Sequence, residues 1–211
     1  MRWMPRTYRG PARLIRSGRT SRTMERYGRA DAEAPTLLCY GAHMTGPLDD
    51  AFNHHVWASL RVLDACATLA PEQLQTSMPG TYGTILDTVR HLVGSDRWYL
   101  FIMTGGAVPQ IDEDHMDLDE LRSAMTENQE HWTSLLSEDR APDLDIVRRL
   151  DDGSEFHAPM GIRLAQVVHH GTDHRSQICT GLTTLGIEPP LIDVWDYGEE
   201  IGRTHQVPPS A

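Results

Sequence analysis

Apolar residues recur every three or four positions in four long stretches of this chain. Such spacing places apolar side chains on one face of a helix. It predicts helices at about residues 48–69, 82–104, 118–136 and 162–185. Four amphipathic helices of this length are typical of an all-α four-helix bundle, which buries the four apolar faces against one another.

Turn and capping residues refine this pattern. Asp117 followed three positions later by Glu120 is a capping-box pattern, and it predicts the start of the third helix. Two short runs, at residues 146–150 and 155–158, flank Asp152-Gly153, a dipeptide that favours a tight turn. We therefore expect a small β-hairpin before the last helix.

The first 43 residues differ from the rest because they have no sustained apolar period. They hold nine of the 19 basic residues, all arginines, and only three acidic residues. Three interpretations stay open: a basic arm, an arginine-rich transit peptide, or a stretch upstream of a translation start at Met44. We predict a disordered or mis-assigned extension at residues 1–43, a bundle at residues 44–197 and a C-terminal tail at residues 198–211.

Charge narrows the range of partners. From residue 44 onwards the chain carries 10 arginines and 27 acidic residues, a formal charge of −17. Such a surface repels phosphate backbones, so nucleic acid is excluded as a partner and a small molecule is expected. The longest apolar run, residues 98–103, is far shorter than the roughly 20 residues that a membrane-spanning helix needs.

The cysteine pattern points to a reducing compartment. Cys39, Cys66 and Cys179 are odd in number, widely spaced and without a Cys-x-x-Cys pair. We therefore expect no disulfide framework. We expect a cytoplasmic protein in which the thiols of Cys66 and Cys179 are buried.

Three histidines are candidates for metal binding. His170 and His174 lie four residues apart on the fourth helix, so their imidazoles share one face about 5–6 Å apart. Both could reach one metal ion at about 2.0–2.1 Å. The same face carries two apolar and two small residues, which indicates that it points inward: Val167, Gly171, Ile178 and Gly181. Two surface or hydrogen-bonded histidines remain the alternative, because the glutamate of a metalloprotease helix is absent. His91 on the second helix could be the third ligand or an ordinary core histidine.

Two segments resemble a known family. Residues 82–92, YGTILDTVRHL, followed by Trp98, resemble the second helix of the DinB-like metal-binding bundles, and residues 168–178, VHHGTDHRSQI, resemble their fourth helix. The similarity continues through residues 185–197, and it is looser around residues 52–63 and at Trp132.

The resemblance implies an up-up-down-down bundle in which His91, His170 and His174 bind zinc, nickel or iron(II). It also implies a homodimer and a thiol-dependent S-transferase that joins a small thiol such as mycothiol or bacillithiol to an electrophile. A non-catalytic metal-binding stress-response bundle is the alternative, and a metal-dependent hydrolase or isomerase is a further one. A metal ion held by three histidines keeps a coordination position open for water or for a thiolate.

Other polar and aromatic residues receive weaker interpretations, and no residue is assigned a catalytic role. Arg175 is a candidate to bind a carboxylate of the thiol cofactor, with an ion pair inside the bundle as the alternative. Asp87 and Asp173 could orient the metal-binding imidazoles, or be ordinary surface acids. Four further residues are noted but not counted as ligands: His54 and His55 on the first helix, and Trp195 and Tyr197 over the end of the bundle.

Overall fold

The computed structural model of the chain describes residues 46–138 and 140–207. Helices and strands follow one another as α1 (Pro47–Cys66), α2 (Pro71–Leu74), α3 (Ile85–Met103), α4 (Leu118–Ser137), β1 (Asp145–Arg149), β2 (Glu155–Pro159), α5 (Met160–Thr184) and α6 (Val194–Glu200). A single 3-10 turn, Glu113–His115, precedes α4. The expected extension at residues 1–43 lies outside the described residues.

The four long helices confirm the predicted bundle, with small shifts at their ends. The capping box at the start of α4 is confirmed, since the Asp117 carboxylate accepts from the Glu120 backbone N–H at 2.9 Å. The start of α3 was predicted too early. Thr84 caps this helix, because its hydroxyl accepts from the Asp87 N–H at 3.1 Å, so Tyr82 lies in the preceding loop.

Two helix pairs are antiparallel. On α1 and α4, Phe52 packs on Trp132 with ring centroids 4.8 Å apart, and Asp64 pairs with Arg122 at 2.6 Å. On α3 and α5, the start of one helix lies against the end of the other, because a Cβ on Gly181 would lie 2.8 Å from Ile85.

The other two neighbouring pairs, α3 with α4 and α1 with α5, are parallel. On α3 and α4, Arg90 donates to the Met116 carbonyl at 3.0 Å and Arg97 donates to Asn128 at 2.7 Å. The segment between these helices therefore runs back along α3. The directions of the four long helices are up, down, down, up, so the expected up-up-down-down order is wrong.

The predicted hairpin is present. Strands β1 and β2 pair antiparallel, with Asp145 opposite Pro159 and Arg149 opposite Glu155. Gly153 turns the chain at a φ of 84°, a conformation that glycine adopts at low cost. The hairpin thus leads directly into α5, the helix that carries two of the three candidate ligands.

The last helix, Val194–Glu200, runs past residue 197, where the bundle was expected to end. Within the described part of the chain, no helix has the length and apolarity that a membrane crossing requires.

Candidate metal centre

The bundle brings together the three histidines that the sequence singled out. His91 comes from α3, and His170 and His174 come from successive turns of α5. The Nε2 atom of His170 lies 3.2 Å from Nε2 of His91 and 3.1 Å from Nε2 of His174. One ligand atom from each residue lies within 4.8 Å of the others. Among the described residues, this is the group of histidine, cysteine and carboxylate side chains that could hold a metal ion.

Burial keeps these imidazoles in the form that binds metals. The three side chains are only 7–9% exposed. Loss of hydration lowers the pKa of His91 to about 4 and that of His170 to about 3, with the neighbouring histidines acting in the same direction, and it also lowers the pKa of His174. At neutral pH the three rings are therefore uncharged, and each has a nitrogen lone pair available.

The donor set fits a divalent transition metal. Two nitrogens that each lie about 2.0–2.1 Å from one ion are separated by no more than about 4.2 Å. The two separations that include His170, 3.1 and 3.2 Å, meet that limit. Neutral imidazoles suit zinc, nickel and iron. With Nε2 facing the centre, the Nδ1 atom of His170 is buried and has no hydrogen-bond partner among the described residues.

A glycine on α5 permits the close approach of α1 beside this centre. A Cβ on Gly171 would lie 2.6 Å from Nδ1 of His55 and 2.9 Å from the Arg175 guanidinium. Any larger residue would therefore displace the His55 ring. This explains why a glycine stands in the middle of a helix, where it otherwise costs about 1 kcal/mol relative to alanine.

Below the three histidines lies a buried network of charged and polar groups. The Asp96 carboxylate accepts from His55 Nε2 at 2.9 Å and from Trp132 Nε1 at 3.2 Å. Arg175 donates to His55 Nδ1 at 2.9 Å and to the Ser59 hydroxyl at 3.2 Å. Because a guanidinium only donates, Nδ1 of His55 must be the acceptor, and the ring's proton sits on Nε2 towards Asp96. All five side chains are almost fully buried.

The network gives Arg175 a role inside the bundle. Its side chain is 2% exposed, and its donors are directed to α1 and to the Thr172 hydroxyl. Burial lowers the pKa of Arg175 to about 10, so the group stays charged at neutral pH. These contacts favour the alternative interpretation, an interaction within the bundle, over the binding of a cofactor carboxylate.

Asp87 and Asp173, which could have oriented the candidate ligands, make no contact with them in the described structure. The Asp87 carboxylate accepts from the Thr84 backbone N–H at 3.0 Å and so caps α3, while Asp173 is exposed on the outer face of α5. Asp96 was missed, although the sequence holds a signal for it. It falls within the apolar stripe of its helix, beside Val93 and Leu100, where an unpaired carboxylate would be costly.

The remaining candidates have mixed outcomes. His54 contacts the Ile192 carbonyl at 2.9 Å, and Tyr197 is buried against α1, so the packing predicted for Tyr197 is confirmed. Trp195 is 72% exposed and does not pack over the bundle as expected. Cys66 is buried as predicted, which raises the pKa of its thiol to about 12.

Two residues that the sequence did not single out border the centre. The Tyr82 ring stacks on His91, with centroids 3.9 Å apart and planes 7° from parallel. Glu113, on the 3-10 turn, rests against Gly94, where a Cβ would lie 2.5 Å from its Oε1. Gly94 is one turn after His91, so the two share a face of α3. Burial raises the pKa of Glu113.

The lowered histidine pKa values predict a pH-dependent stability of the metal-free chain. An unfolded His170 takes up a proton near pH 6.5, whereas the folded side chain resists protonation down to about pH 3. The contribution of the neutral His170 to the free energy of unfolding is therefore fully present above pH 6.5, and it is lost as the pH falls below that value. Between pH 7 and pH 5, the wild type should lose about 2 kcal/mol more of its free energy of unfolding than His170→Asn loses. Urea denaturation with a chelator present measures both losses. An equal loss in the variant and the wild type would contradict this prediction.

Comparison with known proteins adds one finding. The model of the family described as DinB matches residues 44–204, a segment that contains the four long helices, the hairpin and the three histidines. A search of curated proteins finds no match to the chain.

Proposed function

The chain belongs to the DinB family, whose model matches residues 44–204, and from this premise we propose that it is a metal- and thiol-dependent S-transferase. The observation that carries the proposal is the convergence of three neutral imidazoles, with Nε2 separations of 3.1 and 3.2 Å, on one point. His91, His170 and His174 would hold the ion. A divalent metal bound there supplies Lewis acidity that lowers the pKa of a coordinated thiol or water.

The protein's own groups would prepare the thiol for reaction. The three uncharged rings add no negative charge that would offset the charge of the ion, so a bound ion would keep its full attraction for a thiolate. Glu113 is the carboxylate that we assign to accept the thiol proton, because it rests against Gly94, one turn after His91, and burial raises its pKa above the ordinary value. The sulfur lone pair would then form the new bond to the electrophilic carbon of a small co-substrate, and the leaving group would depart with its electrons.

Tyr82 would limit the entry of bulk water. Its ring covers one face of His91 and meets His174 edge-on, with centroids 5.6 Å apart. Tyr82 is 53% exposed, so it sits at the rim between the centre and solvent. A thiolate is a better nucleophile when it is partly desolvated, and an aromatic ring at the rim would contribute to this.

A second candidate function is a non-catalytic metal-binding bundle, and the burial of the ligands favours it. Side chains that are 91–93% covered leave little room for a large co-substrate. In this case the ion would mainly join α3 to α5 and stabilise the fold.

An assay of thiol conjugation to a generic electrophile, with mycothiol, bacillithiol and glutathione in turn, tests the transferase proposal. We expect a rate that disappears when the metal is stripped and returns when zinc, nickel or iron(II) is added. Glu113→Gln should lower the rate roughly 10²-fold, the lower limit for a lost general base. Asp112→Asn, on the same turn but exposed and bonded to His115, serves as the matched control.

The opposite results would separate the two functions. If no thiol gives a metal-dependent rate while chelation lowers the melting temperature, the non-catalytic bundle is favoured. Equal rates for Glu113→Gln and Asp112→Asn would remove Glu113 from the reaction but leave the transferase proposal in place.

A further inference from the structure

The inner face of the hairpin carries an arginine towards the helices. Alternate residues of β1 are half-buried, which places Ile146 and Arg148 on the side that faces the bundle. The Arg148 guanidinium lies over the Trp98 ring of α3 at 5.3 Å. Phe156 is directly opposite Arg148 on β2, and the Arg163 guanidinium of α5 lies 5.5 Å from its ring. Two guanidiniums and two aromatic faces thus meet where the hairpin lies against α3 and α5.

These two arginines lack the acidic partners that several other arginines of the described residues have. Arg122 pairs with Asp64, and Arg149, the neighbour of Arg148, pairs with Glu155. Arg148 forms no ion pair or hydrogen bond with any residue in the described segments.

Arg163 is only partly satisfied. It is 4% exposed and uses one nitrogen to donate to the Ile146 carbonyl at 2.7 Å. The Nε atoms of both Arg148 and Arg163 are buried without an acceptor in the described part of the chain. The nearby Asp145 carboxylate is already bonded to His157 at 2.6 Å.

The two guanidiniums also repel each other. Burial lowers the pKa of Arg163, and the charge of Arg148 lowers it further. A water molecule could accept a hydrogen bond from one Nε–H but would not neutralise two neighbouring cations. An anion with two oxygens would do both, because an arginine fork matches a carboxylate in geometry and charge.

We propose that Arg148 and Arg163 form a binding site for the carboxylate of a small aromatic acid, whose ring would lie against Trp98 and Phe156. The inference goes beyond the proposed transferase function, since it requires neither a metal nor a thiol. The proposed carboxylate site is nevertheless close to the candidate metal centre. Arg163 and His170 are seven residues apart on α5, on one face and about 10 Å from each other along the axis. Tyr99 lies 5.9 Å from His170 and borders the space between.

Titration calorimetry of the metal-loaded full chain with benzoate tests this site. We expect benzoate to bind and benzamide, its neutral analogue, not to bind. Arg148→Gln and Arg163→Gln should each weaken benzoate binding by about tenfold or more, since each removes charged hydrogen bonds to the carboxylate. Arg149→Gln is the matched control, because that side chain lies on the outer face of β1 and pairs with Glu155. It should change the affinity by less than about twofold.

Three outcomes would overturn the inference. The first is equal binding of benzoate and benzamide, and the second is an equal loss in Arg148→Gln and Arg149→Gln. The third is loss of benzoate binding in His170→Ala, which would make the metal ion the receptor of the carboxylate. Arg148→Gln decides the matter even if Arg163→Gln fails to fold, because Arg148 makes no hydrogen bond that the described structure needs.

Discussion

Purified His170→Ala and His174→Ala proteins are expected to contain almost no divalent metal, whereas the wild type holds about one ion per chain. The Nε2 atom of His170 lies between those of His91 and His174, so its removal takes away the central donor. Loss of groups that only support a metal ligand already weakens binding roughly 10–100-fold, and loss of a ligand should exceed that range. Elemental analysis and a competition titration with a chromophoric chelator measure both quantities.

The chain supplies a matched control one residue away. His169 is exposed on the outer side of α5, so His169→Ala should retain the metal content and affinity of the wild type. Unchanged metal content in both His170→Ala and His174→Ala would refute the site. A loss of metal in His169→Ala equal to that in His170→Ala would show that the effect comes from the helix and not from the ligands.

Asp96→Asn is expected to lower the free energy of unfolding by about 3–5 kcal/mol, the cost of leaving a buried partner charge uncompensated. Asp96 is 1% exposed, and it is linked to the buried Arg175 through the His55 ring. An amide would keep the shape but lose the charge, and it would turn a donor towards His55 or Trp132, both of which already donate. Urea denaturation followed by circular dichroism, with a chelator present, measures the change without any contribution from the metal.

Asp173→Asn is the control for this variant, because Asp173 is an exposed acid adjacent to a proposed ligand on α5. Its substitution should change stability by less than about 0.5 kcal/mol. If Asp96→Asn is as stable as Asp173→Asn, the buried network does not hold the helices together as inferred. In that case, we also expect Asp96→Asn to bind the metal with the same affinity as the wild type.

Local patterns were sufficient to predict the helices and the hairpin. Apolar periodicity depends only on neighbours along the chain, and so does the capping pair Asp117 and Glu120. The wrong prediction of the start of α3 also has a local cause. Tyr82 continues the apolar pattern, but Thr84 and Asp87 satisfy each other's backbone groups and begin the helix there. The helix directions could not be read in this way, because the long segment before α4 can lead to either end of the bundle.

The sequence by itself determined that four amphipathic helices form a bundle, and that two histidines one turn apart share its inner face, since both follow from the geometry of a single helix. Only the tertiary structure decided which other groups meet them. His91, Asp96, His55 and Arg175 come from three helices, and their distances depend on how these helices pack. Burial also keeps the imidazoles of the candidate site neutral and favours the pairing of charges, because it removes the water that would otherwise solvate them. For this reason the sequence could predict the pair of histidines on α5 as candidate metal ligands. The approach of His91, the network beneath the histidines and the arginine pair beside the hairpin required the packed structure.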